Sequence, residues 1–256
     1  MSEKKIKEMR VSYPYHVCEY SNSSFQKTLI HAIQEVPLLI HLNDQHIKTL
    51  LCTGKHPKAL AIGFLKSEGF LSEQVMPNKI YIKRETDSIY VYIHTTINPL
   101  SKPSAPRPIS SLLSTLPMKK GLTVSAEQII ALMDMLDKRS RLYRKTGGCH
   151  NASLALADRL LLFYEDLGRH NAIDMIHGAC FLEKTDTSDK LIVTTGRISS
   201  EILIKAARIG VPILASLSAA TSLAIDLAVK IKITLIGYVR GESMVIYNHA
   251  NRIIGI

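Results

Sequence analysis

The chain of 256 residues contains no tryptophan, and aromatic residues make up only 6% of it. It also lacks any C-x-x-C pair, because its four cysteines are widely and irregularly spaced at Cys18, Cys52, Cys149 and Cys180. That spacing excludes a zinc ribbon and a thioredoxin-type motif. A disulfide framework is not expected either, since a chain of this length can build a core without covalent cross-links.

Long apolar segments are missing as well. No run approaches the ~18 apolar residues that a membrane-spanning helix needs. The stretch from Met1 to Arg10 is charged, so we expect no secretory signal and no membrane partner, and a cytoplasmic location. The formal net charge is +10, which favours acidic partners but is equally consistent with simple solubility. Aromatic residues do not alternate with the basic ones as in base-stacking surfaces, so no nucleic-acid partner is expected.

Composition divides the chain into three segments. Residues 1–97 predict a small α+β domain of two hairpins and one helix, whose first 25 residues are polar and expected to be loosely attached. Residues 98–120 are rich in proline and serine, which resist regular structure and predict an interdomain loop or passive spacer. Residues 121–256 predict a larger α/β domain.

This last segment alternates helices with short, continuously apolar strands. Ser125 and Gln128 form the capping box of its first helix, and a hairpin closed by Asp158-Arg159 follows. Helices over about 170–183, 199–210 and 219–230 then alternate with strands over 191–194, 211–216 and 233–239. This order predicts a largely parallel sheet covered on both faces, with the strand-to-helix turns on one edge. Ligands of open α/β sheets bind at that edge.

Three of those turns carry residues suited to an anion. They are Gly168-Arg169-His170, Thr195-Gly196-Arg197 and Ser218-Ala219-Ala220-Thr221. Each precedes a helix, and a helix N-terminus offers free N–H groups and partial positive charge. Arginine stays charged and can bind phosphate with two hydrogen bonds. We therefore expect the three turns to converge on a phosphate-rich ligand.

The same residues also have ordinary structural roles. The hydroxyls of Ser199, Ser218 and Thr221 can simply cap helices. The two arginines can form ion pairs with nearby carboxylates such as Glu165 or Glu201. The sequence alone leaves both alternatives open.

Cys149 lies between Gly148 and His150 in a glycine-containing turn. A thiol beside an imidazole can have a lowered pKa and act as a nucleophile, whereas an isolated cysteine is more often an inert buried residue. A metal site built from Cys149, His150 and His170 would lack a fourth ligand, so no metal, zinc included, is expected.

Taken together, these motifs resemble those of the FdhD/NarQ family, accessory proteins of molybdenum-dependent formate dehydrogenase. The resembling segments are Glu35-Val36-Pro37, residues 61–69, residues 146–150, residues 165–174 and residues 211–224, so the likeness spans roughly 35–256. It implies a C-terminal cytidine-deaminase-like three-layer α/β/α domain beside the smaller N-terminal α+β domain. The H-x-E and P-C-x-x-C zinc motifs of deaminases are absent here.

The resemblance also implies a ligand and partners. Family members bind the molybdenum bis-guanine-dinucleotide cofactor, for which GDP is a mimic, and pass sulfur to it from a cysteine desulfurase before it enters formate dehydrogenase. Homodimers are expected. The cofactor-binding residues predicted from the turns and from the family resemblance are Gly147, Gly148, His150, Gly168, Arg169, His170, Gly196, Arg197, Ser199, Ser218, Thr221, Tyr238, Val239, Arg240, Gly241, Glu242 and Ser243.

One departure concerns the sulfur carrier. The family carries sulfur on a C-x-x-C pair in the loop between the domains, but residues 98–120 contain serines such as Ser101 and Ser104 and no cysteine. A hydroxyl cannot hold a persulfide, because thiol exchange requires sulfur. Three hypotheses follow: sulfur transfer with Cys149 as the catalytic residue, cofactor binding as a chaperone without transfer, or a non-catalytic module that docks to an acidic partner.

Overall fold

The computed structural model describes residues 10–96 and 122–255. The predicted loop over 98–120 therefore lies outside the described residues, and the division into domains stays a prediction. Within the described ranges the chain forms four β-sheets and six α-helices, which confirms the mixed α/β class. None of the helices in those ranges combines the length and the apolarity that a bilayer crossing requires.

The described chain begins with a long antiparallel hairpin that the sequence did not predict. β1 (Ser12–Ser21) pairs with β2 (Ser24–Ile33) across Asn22-Ser23, where both residues have positive φ. Most side chains of both strands are exposed, so no alternation of apolar and polar residues marks them as strands. The expectation that the first 25 residues are loosely attached is wrong from Ser12 onward.

A four-stranded sheet and one helix follow. The strands are β3 (Val36–Leu42), β4 (Gln45–Cys52), β5 (Pro77–Arg84) and β6 (Ile89–Thr95), in the order β4-β3-β6-β5. Both hairpins match the prediction, and β3 pairs with β6 in parallel. Helix α1 (Pro57–Ser67) begins with proline in its first turn, as expected, and packs on one face of this sheet.

The remaining elements surround a six-stranded sheet. The six strands of this sheet are β8 (His150–Ala155), β9 (Leu160–Asp166), β10 (Leu191–Thr194), β11 (Ile213–Ser216), β12 (Thr234–Arg240) and β13 (Ser243–Ile246). Two short strands, β7 (Val124–Ser125) and β14 (Ile253–Ile254), pair with each other in a separate sheet. The order of the six-stranded sheet is β13-β12-β11-β10-β8-β9. Only the pairs β10–β11 and β11–β12 are parallel, so the prediction of a largely parallel sheet is wrong. Short connections force hairpins at both edges to pair antiparallel.

Helices cover both faces of this sheet, as predicted. They are α2 (Ala126–Arg139), α3 (Arg141–Thr146), α4 (Arg169–Glu183), α5 (Ser200–Ile209) and α6 (Ser222–Ile231). Apolar side chains of α4, α5 and α6 pack on one face, and those of α2 pack on the other. This gives three layers, and the specific likeness to cytidine deaminases stays a prediction.

Cap residues set most of the helix boundaries. Ser125 and Gln128 form the predicted capping box at the start of α2. Ser199 caps α5, which ends at Gly210 in the left-handed conformation that glycine adopts without strain. Helix α6 begins later than predicted, because Thr221 is its N-cap. The six-residue helix α3 was not predicted.

Helix α4 is buried on all sides between the two larger sheets. Its backbone contacts α1 through two glycines. A Cβ placed on Gly63 would lie 1.7 Å from the carbonyl oxygen of Asp174, and one placed on Gly178 would lie 2.0 Å from that of Ala59. Only glycine permits this approach. The helix that presents Arg169 at its first turn is therefore fixed from both sides.

Candidate functional site

The carboxyl ends of β10, β11 and β12 meet at one edge of the six-stranded sheet. β8 runs antiparallel to β10, so its first residue, His150, lies at the same edge. β9 ends there too, since Asp166 pairs with His150, and α4 starts immediately afterwards. We call this surface the strand-end edge and define it by His150, Arg169, Arg197, Ser218 and Arg240.

Hydrogen bonds join the first turns along the edge. The amide of Asn151 donates to Thr195 Oγ1 at 3.0 Å, and that oxygen lies 3.5 Å from His150 Nδ1. The amide of Thr195 in turn donates to the carbonyl of Asn151 at 3.0 Å. The start of β8 is thus bonded to the turn that bears Arg197.

The next two turns form one bonded unit. The amide of Ile198 donates to the carbonyl of Ala219 at 2.9 Å, and the amide of Thr221 donates to the carbonyl of Ile198 at 3.0 Å. Arg197 and Ser218 are therefore neighbours on one framework. The predicted convergence of the strand-to-helix turns is what the structure shows.

The end of β12 extends the edge further. A β-bulge lies between Gly237 and Arg240, and inside it Tyr238 has a φ of 52° and is 50% exposed. The amide of Tyr238 donates to the carbonyl of Ser218 at 3.2 Å, and Arg240 Nε donates to that of Leu217 at 3.1 Å. A bulge that holds a bulky residue at positive φ stores strain and re-aims its side chain, here toward solvent.

The rest of this predicted loop divides by exposure. Gly241, Glu242 and Ser243 are exposed. The side chain of Val239 is buried against the core under α2, so only its backbone faces the edge. Side chains in a β-bulge do not alternate between the two faces of the sheet with a period of two residues. The direction of the Val239 side chain therefore could not be predicted from the sequence.

Arg169 lies against the turn that bears Arg197. A Cβ on Gly196 would lie 2.8 Å from Arg169 Cβ, so glycine at this position makes room for the arginine. Arg169 Nε is buried with no hydrogen-bond partner among the described residues. Arg197 is exposed, and no described carboxylate forms an ion pair with either arginine. Within residues 10–96 and 122–255, the ion-pair alternative is therefore wrong.

Glu165 instead contacts the N-terminal unit, by which we mean residues 10–96. Its Oε1 forms an ion pair with Lys55 Nζ at 3.0 Å, and its Oε2 accepts from Ser140 Oγ at 3.0 Å. Glu201 lies 3.6 Å from His170 Nε2. The carboxylates expected to compete for the arginines are thus engaged elsewhere.

Asp166 is fully buried and connects the same two parts of the chain. Its Oδ2 accepts from both the amide and the hydroxyl of Thr53 at 2.8 Å. Its Oδ1 accepts from Asn171 Nδ2 at 2.7 Å and from the amide of Gly168 at 3.3 Å, and Asn171 also donates to the carbonyl of Leu51 at 2.8 Å. The motif over 165–171 therefore divides into buried residues that fix the N-terminal unit and two residues, Arg169 and His170, that reach the edge.

Two histidines, His150 of the edge and His170 beside Arg169, contribute hydrogen-bonding atoms rather than charge. Burial lowers the pKa of His150, and the positive charge of Arg169 lowers it further. The pKa of His170 is lowered by burial, then by Lys205 and Arg169, against the opposing charge of Glu201. Near neutral pH both rings are therefore uncharged, and the positive charge of the edge comes from its arginines.

Ser199 and Thr221 have the capping roles that the sequence left open, whereas Ser218 is not an N-cap, because α6 begins after Thr221. Ser199 Oγ accepts from the amide of Ile202 at 3.4 Å, and Thr221 Oγ1 accepts from that of Ala224 at 3.3 Å. Each hydroxyl keeps its own hydrogen. Capping and donation to a bound anion are thus compatible at both positions.

Cys149 lies in a buried, polar environment beside a carboxylate. It is only 5% exposed, and its Sγ lies 3.8 Å from Asn151 Oδ1, beside Ser140 and Glu165. Burial raises the pKa of the Cys149 thiol to about 11, and the charge of Glu165 raises it as well. Of the two alternatives that the sequence left open, this environment favours the inert buried thiol, because burial and then the charge of Glu165 both raise its pKa.

A buried polar network was assigned no role from the sequence. Ser67 Oγ donates to Asp174 Oδ1 at 2.7 Å and lies 2.9 Å from His177 Nδ1, while Lys205 Nζ donates to Asp174 Oδ2 at 2.5 Å. These residues join α1, α4 and α5 beneath the edge. The sequence signal that could have indicated this network is the spacing of Asp174 and His177. Residues three positions apart share one face of a helix. Among the described residues, no group of three His, Cys, Asp or Glu side chains could hold a metal.

Comparison with known proteins gives consistent matches along the chain. The chain is 37% identical over 251 residues to the sulfur carrier protein FdhD of Geobacillus kaustophilus, covering 93% of this chain and 95% of that one. It is 37% identical over 250 residues to the protein of the same name in Bacillus subtilis, with the same coverage.

A solved structure and a family pattern agree with these relatives. A Desulfotalea psychrophila protein described as a formate dehydrogenase accessory protein superposes with a TM-score of 0.82 at 26% identity, covering 96% of this chain and 100% of that one. The sequence pattern of the FdhD/NarQ family matches residues 33–254. The chain therefore belongs to the FdhD/NarQ family.

Proposed function

We propose that the strand-end edge binds the molybdenum bis-guanine-dinucleotide cofactor and that the chain acts in the maturation of formate dehydrogenase. The relatives' names support the second part, since they describe sulfur carrier proteins and a formate dehydrogenase accessory protein. The observation that carries the first part is Arg169, whose buried Nε has no partner among the described residues.

The residues of the edge fit the nucleotide arms of this cofactor. Arg169, Arg197 and Arg240 would hold pyrophosphate oxygens, because no described carboxylate neutralises them and arginine binds such oxygens with two hydrogen bonds. Tyr238 would stack on a guanine ring, since the bulge directs it to solvent. When bound, the cofactor supplies the metal centre that receives sulfur, and the residues of this chain bind and orient it.

The thiols favour cofactor binding without sulfur transfer through Cys149. A sulfur carrier needs an accessible thiolate. Burial raises the pKa of Cys149 to about 11 and that of Cys52 and Cys180 to about 12. The segment over 98–120 contains no cysteine. Cys18 is exposed, but it lies on β1 and is not among the residues that define the strand-end edge. The chain would then act as a cofactor-binding chaperone, and the cysteine desulfurase, the homodimer and the cytoplasmic location stay predictions.

Titration calorimetry with GDP tests the cofactor site. Arg169→Ala and Arg197→Ala should each weaken binding by about 1.5–3 kcal/mol, because each removes charge-assisted hydrogen bonds. This corresponds to roughly 10- to 150-fold in Kd. Arg159→Ala is the matched control, since Arg159 closes the β8–β9 hairpin and pairs with Asp158. Absence of heat with GDP, or equal affinity of all three variants, would contradict the proposal.

Radiolabelled cysteine and a cysteine desulfurase test the chaperone hypothesis. We expect no label on Cys149 in the native protein. Labelling that disappears in Cys149→Ser but persists in Cys18→Ser would restore the sulfurtransferase hypothesis.

A further inference from the structure

A second concave surface lies between the β1–β2 hairpin and the start of α1. It is a cleft of about 670 Å³, and its lining includes Arg10, Ser12, His31, Lys55 and Lys145. We propose that this basic cleft is a second anion site, separate from the strand-end edge, that takes a phosphate-bearing ligand of about mononucleotide size. The two sites share no lining residue.

The positive charges of the basic cleft come from three separate parts of the chain. Arg10 precedes β1, Lys55 lies in the loop before α1, and Lys145 lies in the last turn of α3. Among the described residues, no Asp or Glu side chain lines the cleft. Three distant segments thus bring like charges to one cavity. Glu165 offsets only the charge of Lys55, and a bound anion would offset the repulsion that remains.

Carboxylates neutralise several lysines of the described surface but only one cation of the cleft. Lys66, Lys138 and Lys190 each form an ion pair with a carboxylate at 2.6–2.8 Å. Arg10 and Lys145 have no such partner among the described residues, and Lys55 pairs with Glu165 alone. The described residues of the basic cleft therefore keep net positive charge.

Ordinary structural roles explain two of the three cations, since Lys55 forms an ion pair with Glu165. A lysine in the last turn of a helix interacts favourably with the helix dipole, which accounts for Lys145. Neither role accounts for Arg10, nor for the cavity that the three cations line. His31 also lines the cleft, and its buried Nδ1 has no hydrogen-bond partner among the described residues. A polar atom left unpaired in this way is destabilising unless a ligand or a small ring movement satisfies it.

The size and chemistry of the cleft select the ligand class. Its volume falls within the roughly 300–1,000 Å³ of small-molecule sites. One guanidinium and two ammonium groups match the multiple negative charges of a phosphate better than the single charge of a carboxylate. Lys55 also links the cleft to Glu165, which lies just before the strand-end edge.

Equilibrium titration of the full chain with inorganic pyrophosphate tests this inference. The wild-type chain should bind two equivalents. Arg10→Gln and Lys145→Gln should each weaken one of them at least tenfold and leave the other intact. Lys230→Gln is the matched control, because Lys230 is an exposed lysine in the last turn of α6, as Lys145 is in α3. It should bind like the wild type.

The outcomes separate the two sites. Suppose that the wild-type chain binds only one equivalent of pyrophosphate, and that this binding is lost in Arg197→Gln but unchanged in Lys145→Gln. This result would overturn the basic cleft and leave the proposed function standing. Loss of GDP binding in Arg169→Ala while Lys145→Gln still removes one pyrophosphate would support both. Binding by Arg10→Gln and Lys145→Gln that equals Lys230→Gln would also overturn the cleft.

Discussion

Gly63 on α1 lies so close to Asp174 on α4 that a methyl group on Gly63 would overlap the Asp174 carbonyl oxygen at 1.7 Å. The nearest atoms belong to backbone, which cannot rotate away. Gly63→Ala should therefore lower the free energy of unfolding by about 3 kcal/mol or more, since the two helices must separate. Urea denaturation measures this change.

Gly148→Ala is the control for that substitution. Its added Cβ would lie 3.2 Å from the flexible side chain of Ile33, and Gly148 does not have positive φ. We expect a loss under about 1 kcal/mol. Equal losses in the two variants would mean that helix contact is not what requires glycine at position 63.

Asp166 accepts four hydrogen bonds in the dry interior, two of them from Thr53. Asp166→Ala leaves these donors unpaired and should cost about 3 kcal/mol of stability. Asp158→Ala, at an exposed hairpin turn, should change stability by under about 0.5 kcal/mol. Thermal or urea unfolding distinguishes the two, and a small effect at Asp166 would show that the contact between Thr53 and Asp166 contributes little.

Acidification should destabilise the protein through His177. Burial, with the charges of Lys66 and Lys205, lowers the pKa of His177 to about 3 from an ordinary value of 6.5. Between these values the unfolded chain binds a proton that the folded chain does not, so stability is full above pH 6.5 and falls below it. The slope is at most about 1.4 kcal/mol per pH unit.

His177→Gln removes this titration while keeping a polar group near Ser67. Urea unfolding at pH 7, 5.5 and 4.5 should therefore show a shallower loss of stability in the variant than in the wild type. Identical pH dependence in both proteins would show that the pKa of His177 does not differ between the folded and unfolded chains.

Thiol reactivity should single out Cys18. It is the exposed cysteine of the chain, on β1, whereas Cys52, Cys149 and Cys180 are buried and burial raises the pKa of each of these three thiols. Iodoacetamide at pH 7.5 should alkylate Cys18 rapidly and the other three only after unfolding. Mass spectrometry identifies the alkylated cysteines, and the folded Cys18→Ser variant is the control. Fast modification of Cys149 in that variant would contradict its described environment.

Sequence patterns predicted those elements whose burial leaves a periodic trace. The apolar strands β10 to β12, the capping box of α2 and the proline at the start of α1 are of this kind. The β1–β2 hairpin is not, because its strands are exposed on both faces and its turn lacks the usual glycine. The antiparallel edges of the main sheet depend on pairing choices that no single segment encodes.

The candidate site was predictable where topology decides it. Parallel strands place their ends at one edge, and that rule alone brought Arg197 beside Ser218. The neighbours of Cys149 and Asp166 were not predictable, because they come from residues far along the chain. Thr53, for example, is 113 positions from Asp166, and nothing local to either residue indicates the contact.

The burial of α4 between the two sheets has a consequence for dissecting the molecule. Its outer surface is covered by α1 of the N-terminal unit, while its first residue supplies an arginine to the edge. A truncated fragment beginning near residue 122 would expose that surface to water and leave Asp166 without Thr53. We therefore expect that neither half folds alone, and that chimeras between relatives should exchange α1 and α4 together.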